Sequence, residues 1–201
     1  AAAPAELMIR RLDNKTGIYL SWNDSGNLYR DVSKNVNISG TPIASGADHR
    51  DNNLVSGYYY YRTRLTSGSS TNVVGAVVED FSINHPIANI KIPSDFTRLI
   101  GMNGIIIDKD ISANGPGATL LDILGAGDQI KGSTRMEDAD WVWTSKGIYY
   151  YNTRVNKWLH ESGLLADSGA FNIAFRAGDT ITVEKRKAGR SGKIFILGKA
   201  D

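Results

Sequence analysis

The sequence predicts an all-β protein of β-sandwich-like architecture with one or two short helices. Three observations carry that prediction. A nine-residue string occurs twice, as Gly57-Tyr58-Tyr59-Tyr60-Tyr61-Arg62-Thr63-Arg64-Leu65 and as Gly147-Ile148-Tyr149-Tyr150-Tyr151-Asn152-Thr153-Arg154-Val155, with six of nine positions identical. Runs of tyrosine favour the extended chain, because a pleated surface packs aromatic rings well and a helix restricts them. A shorter echo stands at Gly17-Ile18-Tyr19-Leu20-Ser21-Trp22. Short apolar runs alternate with turn strings at close, regular spacing, the rhythm of a sandwich or barrel rather than of a parallel α/β sheet.

Taken in order, the first strand is expected over Leu7 to Leu12, and Asp13-Asn14-Lys15-Thr16-Gly17 reads as a turn. A second strand over Ile18 to Trp22 is followed by Asn23-Asp24-Ser25-Gly26-Asn27, a string of turn-forming residues. Further strands are expected at Leu28 to Val32, Val36 to Ile43, Val55 to Leu65 and Val73 to Ile83. His85-Pro86 and Pro93-Ser94 bracket Ile87 to Ile92. Ser94 or Asp95 then reads as the cap of a short helix through Phe96-Thr97-Arg98-Leu99-Ile100, stopping at Gly101. A second short helix is expected over Ala118 to Leu124, with Gly125 just past its end. Strands resume at Gly104 to Ile107, Trp141 to Tyr151, Lys157 to His160, Phe171 to Phe175, Thr180 to Lys185 and Lys193 to Leu197. The basic string from Glu184 to Lys193 lies between two such runs and reads as a solvated hairpin tip.

Two organisations fit. A boundary near residues 85 to 95 gives an N-terminal β module over 1–92, with an N-terminal arm, and a C-terminal β module over 93–201. Little besides the tyrosine string aligns between these halves, so one continuous β domain fits equally well.

At 201 residues the chain is long enough to bury roughly 70% of its unfolded surface without a covalent staple. Its 41% apolar and 22% charged residues are those of an ordinary globular protein, and a net charge of +2 gives no reason to expect nucleic acid. No cysteine is present, which removes disulfides, thiolate metal sites and cysteine nucleophiles together. No run approaches the roughly 18 apolar residues of a membrane-spanning helix. Ala1-Ala2-Ala3-Pro4-Ala5-Glu6 is the kind of small-residue stretch found around a signal-peptidase site, and the missing initiator methionine fits a processed chain. Export, to the extracellular space or cell surface, is the expectation.

Reactive motifs are sparse. His49, His85 and His160 show no metal-binding spacing and are expected on surfaces or loops. No Gly-x-Ser-x-Gly elbow is present. Gly189-Arg190-Ser191-Gly192-Lys193 lacks the glycine and hydroxyl of a phosphate loop. Gly125-Ala126-Gly127-Asp128-Gln129-Ile130 lacks the third glycine of a dinucleotide fingerprint. Asp108 with Asp110, and Glu137 with Asp138 and Asp140, have the oxygen chemistry of a Ca²⁺ site but not the spacing of the twelve-residue loop. Solvated turns are the expectation, with no metal, no cofactor and no catalytic residue.

The aromatic residues permit a sharper hypothesis. On a strand Tyr58 and Tyr60 face one way and Tyr59 and Tyr61 the other, and Ile148 and Tyr150 likewise oppose Tyr149 and Tyr151. Tyr58, Tyr60, Tyr149 and Tyr151, with Trp141, Trp143 and Trp158 close to the second string, are therefore candidates for an exposed surface that stacks on sugars or packs against protein. Leu7 and Ile9 alternate with Met8 and Arg10, as a strand inserted into a neighbouring copy would.

From Leu121 onward, Gly127-Asp128-Gln129-Ile130, Gly147-Ile148-Tyr149-Tyr150-Tyr151, Trp158 and Gly178-Asp179-Thr180-Ile181-Thr182-Val183 with a basic residue after it follow one another in a characteristic order. In this the C-terminal half resembles an uncharacterised family of secreted β-rich bacterial proteins. The resemblance implies export and a β-fold, and implies no activity.

The sequence thus predicts a structural subunit of a surface polymer, a filament or layer, held to copies of itself by aromatic strand faces and by an arm carrying Leu7 and Ile9. A secreted carbohydrate-binding or adhesive module, with a glycan as partner, is the alternative, and a capsid-type shell protein is the third.

Overall fold

The computed structural model describes residues 5–112, 117–124, 130–167, 171–186 and 191–200. Fifteen strands and two single-turn helical pieces are defined among them. The strands are β1 (Met8–Arg11), β2 (Ile18–Asp31), β3 (Ala44–Asp51), β4 (Gly57–Leu65), β5 (Val74–Phe81), β6 (Ile87–Lys91), β7 (Arg98–Met102), β8 (Ile105–Asp110) and β9 (Ala118–Thr119), then β10 (Trp141–Thr144), β11 (Gly147–Asn152), β12 (Lys157–His160), β13 (Ala174–Phe175), β14 (Thr180–Glu184) and β15 (Gly192–Lys199). Helix α1 covers Leu120–Leu124, and a 3₁₀ turn covers Met136–Asp138. No helix among the described residues is long and apolar enough to cross a membrane.

The fold is all-β and sandwich-like. One antiparallel sheet runs β1-β2-β4-β5-β15-β7-β8, with β3 also on β2, and a second runs β12-β11-β10-β14-β6. Strands β9 and β13 form a small ladder of their own. The first sheet curls until β1 approaches β5, β15 and β7. That curl encloses one core, built from Leu7, Ile9, Leu20, Trp22, Tyr61, Val78 and Phe195 among others. The other face of the sheet meets the second sheet over a larger core that includes Tyr60, Val77, Phe96, Tyr149, Val183 and Ile196. Strands β5 and β15 are therefore buried on both faces, and they read as nearly continuous apolar runs instead of alternating ones.

A pair of facing glycines sits at the centre. Gly75 on β5 and Gly198 on β15 are cross-strand partners. Their missing side chains leave room for the Phe96 ring, which would collide with a Cβ at either position. Tyr60 closes on that ring edge-on, with centroids 6.1 Å apart. Seating Phe96 here commits the residues from Arg98 onward to β7, which adds to β15, so a strand stands where the helix through residues 96–100 is expected.

Other expectations also change. Residues 23–27 do not reverse the chain: β2 runs through them with a register shift between Ser21 and Gly26, and Asn23 takes φ +55°. That bulge lets one edge of β2 pair with β1 before it and with β4 after it. The strand expected over Val36 to Ile43 is loop, although Val36 is buried and Ile38 packs on the larger core. The strand actually formed is β3, whose polar sequence Ala44-Ser45-Gly46-Ala47-Asp48-His49-Arg50-Asp51 carries no apolar alternation because it is an exposed edge. Trp141 to Tyr151 is a hairpin, β10 and β11, not a single strand.

Strands β14 and β15 belong to different sheets, so the basic string between them is a crossover and not a hairpin. Residues 187–190 of that string, Gly125 to Gln129 and the arm residues 1–4 lie outside the described residues. The line drawn at residue 92 does not coincide with the division between sheets. β6 sits at the edge of the second sheet, and β15 lies in the middle of the first.

Candidate binding surface

The second sheet has one face in the larger core and one turned outward. Along β10 the alternation puts Val142 inside and Trp141 and Trp143 outside; along β14 it puts Ile181 and Val183 inside and Thr182 and Glu184 outside. Antiparallel register then lines Asn89, Thr182, Trp143 and Ile148 across four adjacent strands, with Ile87, Glu184 and Trp141 in a neighbouring row.

Part of this face is covered. The segment ending in the 3₁₀ turn folds over it, and Met136, Ala139, Trp141, Tyr150 and Leu159 make a small satellite core beneath. Trp141 donates its indole N–H to the Met136 carbonyl at 2.8 Å. The Arg186 guanidinium lies 3.6 Å above the Trp141 ring centroid. Trp143 stands at the margin of this cover, 42% exposed. Its ring meets Trp141 edge-on at 5.8 Å, and its N–H donates to Glu184 Oε2 at 3.2 Å. Arg186 approaches the other oxygen of Glu184 at 3.8 Å. Beyond the ring, Thr182 donates to Asn89 Oδ1 at 2.6 Å. The indole is thereby braced from one side and from its nitrogen, and hydroxyl, amide and carboxylate groups lie next to it.

Of the aromatic candidates, this face unites only Trp141 and Trp143. Tyr58 is exposed on β4, in the other sheet. Tyr60, Tyr149 and Trp158 are core residues, and Tyr151 packs against the core with its ring 5.7 Å from that of Trp158. Tyr60 donates its hydroxyl to Asp95 at 2.7 Å, and Tyr61 donates to Asp51 at 2.7 Å, beside an Arg30–Asp51 ion pair. Burial, reinforced by these carboxylates, raises both phenols well above the ordinary tyrosine range. Tyr149, also raised by burial, donates to the Phe171 carbonyl at 2.7 Å. The alternation is as the sequence predicts, but strand β4 is covered on both faces, so it exposes no row of rings.

Leu7 and Ile9 are taken up by the chain itself. They are 0% and 5% exposed, in the core inside the curled sheet. Leu7 is further tied by both groups of the Asn72 amide, which accepts from its N–H at 2.9 Å and donates to its carbonyl at 3.2 Å. The alternation that suggested insertion into a neighbour is satisfied by pairing with β2.

His160 corrects another expectation, since it is buried. Its ring stacks on Phe171 at 4.0 Å, with Nε2 2.6 Å from the Lys146 carbonyl and Nδ1 2.8 Å from the Ser162 hydroxyl. Among the described residues no three His, Asp or Glu side chains converge as metal ligands. Asp108 pairs with Arg98, Asp110 accepts from the Ser112 N–H, and Asp140 faces Lys185.

Sequence reasoning missed Glu184, Arg186, Thr182 and Asn89. The polar alternation Thr180, Thr182, Glu184 was available, but reading residues 184–193 as a hairpin tip separated Glu184 and Arg186 from the tryptophans. Compared with known proteins, the chain matches no family model, no curated protein and no solved structure.

Proposed function

We propose that the chain is a carbohydrate-binding or adhesive module that presents Trp143 as a stacking platform. The observation that carries this is the partly exposed indole held by Trp141 and Glu184, with Thr182 and Asn89 alongside. An aromatic ring offers a sugar an apolar face, and neighbouring polar groups fix its orientation. Neither catalysis nor a cofactor is part of the reading, and an exported chain fits it.

A panel of soluble oligosaccharides titrated against tryptophan fluorescence tests it. Truncating a central aromatic contact costs about 2 kcal/mol or more, so Trp143→Ala should weaken binding roughly 30-fold. The melting temperature should change little, because much of the ring is already in water. Equal affinity of Trp143→Ala and wild type for a bound glycan, or no response to any member of the panel, would sink the proposal.

A second reading, a subunit of a surface polymer, draws support from a different place. Leu7, Met8, Ile9, Ile100 and Ile106 line a groove of about 430 Å³ between β1 and the β7–β8 hairpin, and Ile106 is 82% exposed. A second copy would bury the exposed members of this lining, Met8 and Ile106, and the groove rather than the arm would be the contact. Sedimentation distinguishes the readings: Ile106→Asp should abolish any polymer, and a wild-type chain that stays monomeric at micromolar concentration removes this one.

A further inference from the structure

The second sheet contains an ion pair that is withdrawn from water. Trp141 and Glu184 are the terminal partners in the β10–β14 ladder, so the next residues outward, Asp140 and Lys185, come face to face on the inner side. Lys185 Nζ lies 3.1 Å from Asp140 Oδ2, and the two side chains are 3% and 0% exposed. The Phe81 ring lies 5.6 Å from the nitrogen. Two backbone donors hold the carboxyl group: the Lys131 N–H reaches Oδ2 at 2.8 Å and the Arg186 N–H reaches Oδ1 at 3.3 Å. The Lys185 main chain is itself fixed, its N–H bonded to the Pro86 carbonyl at 2.7 Å.

We propose that Lys185 and Asp140 are joined by an amide bond, an isopeptide cross-link formed within the folded chain. Desolvating two ions is costly, and a pair buried in this way gains by becoming neutral. Transfer of one proton along the existing hydrogen bond, from the ammonium to Oδ2, leaves a free amine against a carboxylic acid. The nitrogen lone pair then attacks Cγ, and the charge developing on Oδ1 meets the Arg186 N–H, which acts as an oxyanion donor. A second proton passes from nitrogen to Oδ2, the Cγ–Oδ2 bond breaks, and water leaves. Ammonium plus carboxylate give amide plus one water, so no oxidant, metal or other reactant is required. Holding the two groups in fixed contact supplies the proximity that separate molecules in solution lack.

The link would tie β14 to the segment that covers Trp141, closing a loop between positions 140 and 185 in a chain with no cysteine. It stands independently of the glycan reading.

Intact mass of the purified 201-residue chain, denatured so that no water is retained by folding, tests the proposal. The expected mass is one water below that of the sequence. Trypsin does not cut after an acylated lysine, so digestion should release residues 136–146 joined to residues 177–186. A mass equal to the sequence overturns the proposal, as does a lost water that maps elsewhere. Lys185→Met should have the full sequence mass for its composition. If that variant fails to fold, the wild-type mass and peptide map still decide.

Discussion

Replacing Leu7 with alanine separates the two places this side chain can belong, its own core or a neighbour's. Leu7 is fully buried in the core enclosed by the curled sheet, in the cluster that includes Trp22, Val78 and Phe195. A leucine truncated at a packed site loses its transfer free energy and leaves a cavity, about 2–5 kcal/mol in all. For a chain of this size each kcal/mol moves the melting temperature by about 2–4 °C, so the expected drop is about 4–20 °C. Asn72→Ala makes an independent check, because it removes both hydrogen bonds to the Leu7 main chain at a net cost of about 0.5–1.5 kcal/mol each. The assay is urea unfolding followed by circular dichroism at two widely separated protein concentrations. Intrachain burial predicts the same loss at both, since only a contact between chains obeys mass action. A Leu7→Ala chain within about 1 kcal/mol of wild type, or one whose deficit shrinks on dilution, would return Leu7 to a neighbouring subunit.

Gly198→Ala should destabilise by about 1–3 kcal/mol or more, because the new Cβ collides with the Phe96 ring and approaches the Arg98 carbonyl to 2.7 Å; an unchanged urea midpoint would disprove the packing. Tyr60 and Tyr61 have folded pKa values above their unfolded ones, so their contribution is complete below the ordinary tyrosine pKa of about 10 and is lost as pH rises beyond it. Tyrosinate absorbance should therefore lag in the native protein and appear together with unfolding in alkali, whereas full ionisation of a still-folded chain contradicts it. Asp122 behaves in the opposite sense: burial raises its pKa, but bonds from Thr119 and the Lys109 ammonium outweigh that and hold it below the usual carboxylate value. Its contribution is present above a pH of about 4 and lost as pH falls, and Asp122→Asn should flatten that limb of the stability profile.

Local chemistry made much of this fold legible. Strands β4, β5, β12 and β14 fall close to their sequence limits, because each is an apolar or aromatic run between turn residues. Strand β3 was invisible for a physical reason: an edge exposed on most of its length needs hydrogen bonds but no buried face. Phe96 was misread because a capping residue before a short apolar run is also how a chain delivers one ring onto two glycines that are distant in sequence. Gly75 and Gly198 stand on strands whose adjacency no local pattern reveals. The same limit hid half of the candidate surface. Trp141 and Trp143 declare themselves, but Asn89 and Arg186 join them only through strand order.

The repeated tyrosine string shows how a correct local reading leads to an incomplete global one. Aligning the copies matches Tyr59, Tyr60 and Tyr61 with Tyr149, Tyr150 and Tyr151. In β4 it is Tyr60 that faces the core shared by the two sheets, while Tyr61 enters the core of the curled sheet. In β11 the assignment is reversed: Tyr149 faces the shared core, and Tyr150 lies in the satellite core on the outer face. A duplicated module would keep equivalent rings on equivalent faces, because a strand's side-chain period of two fixes its facing once the register is set. The strings are therefore two uses of one extended, ring-rich segment at sites that cover both faces of a strand. What suits such a site is aromatic residues at consecutive positions, and this is why the motif predicts burial on both sides better than it predicts a surface row.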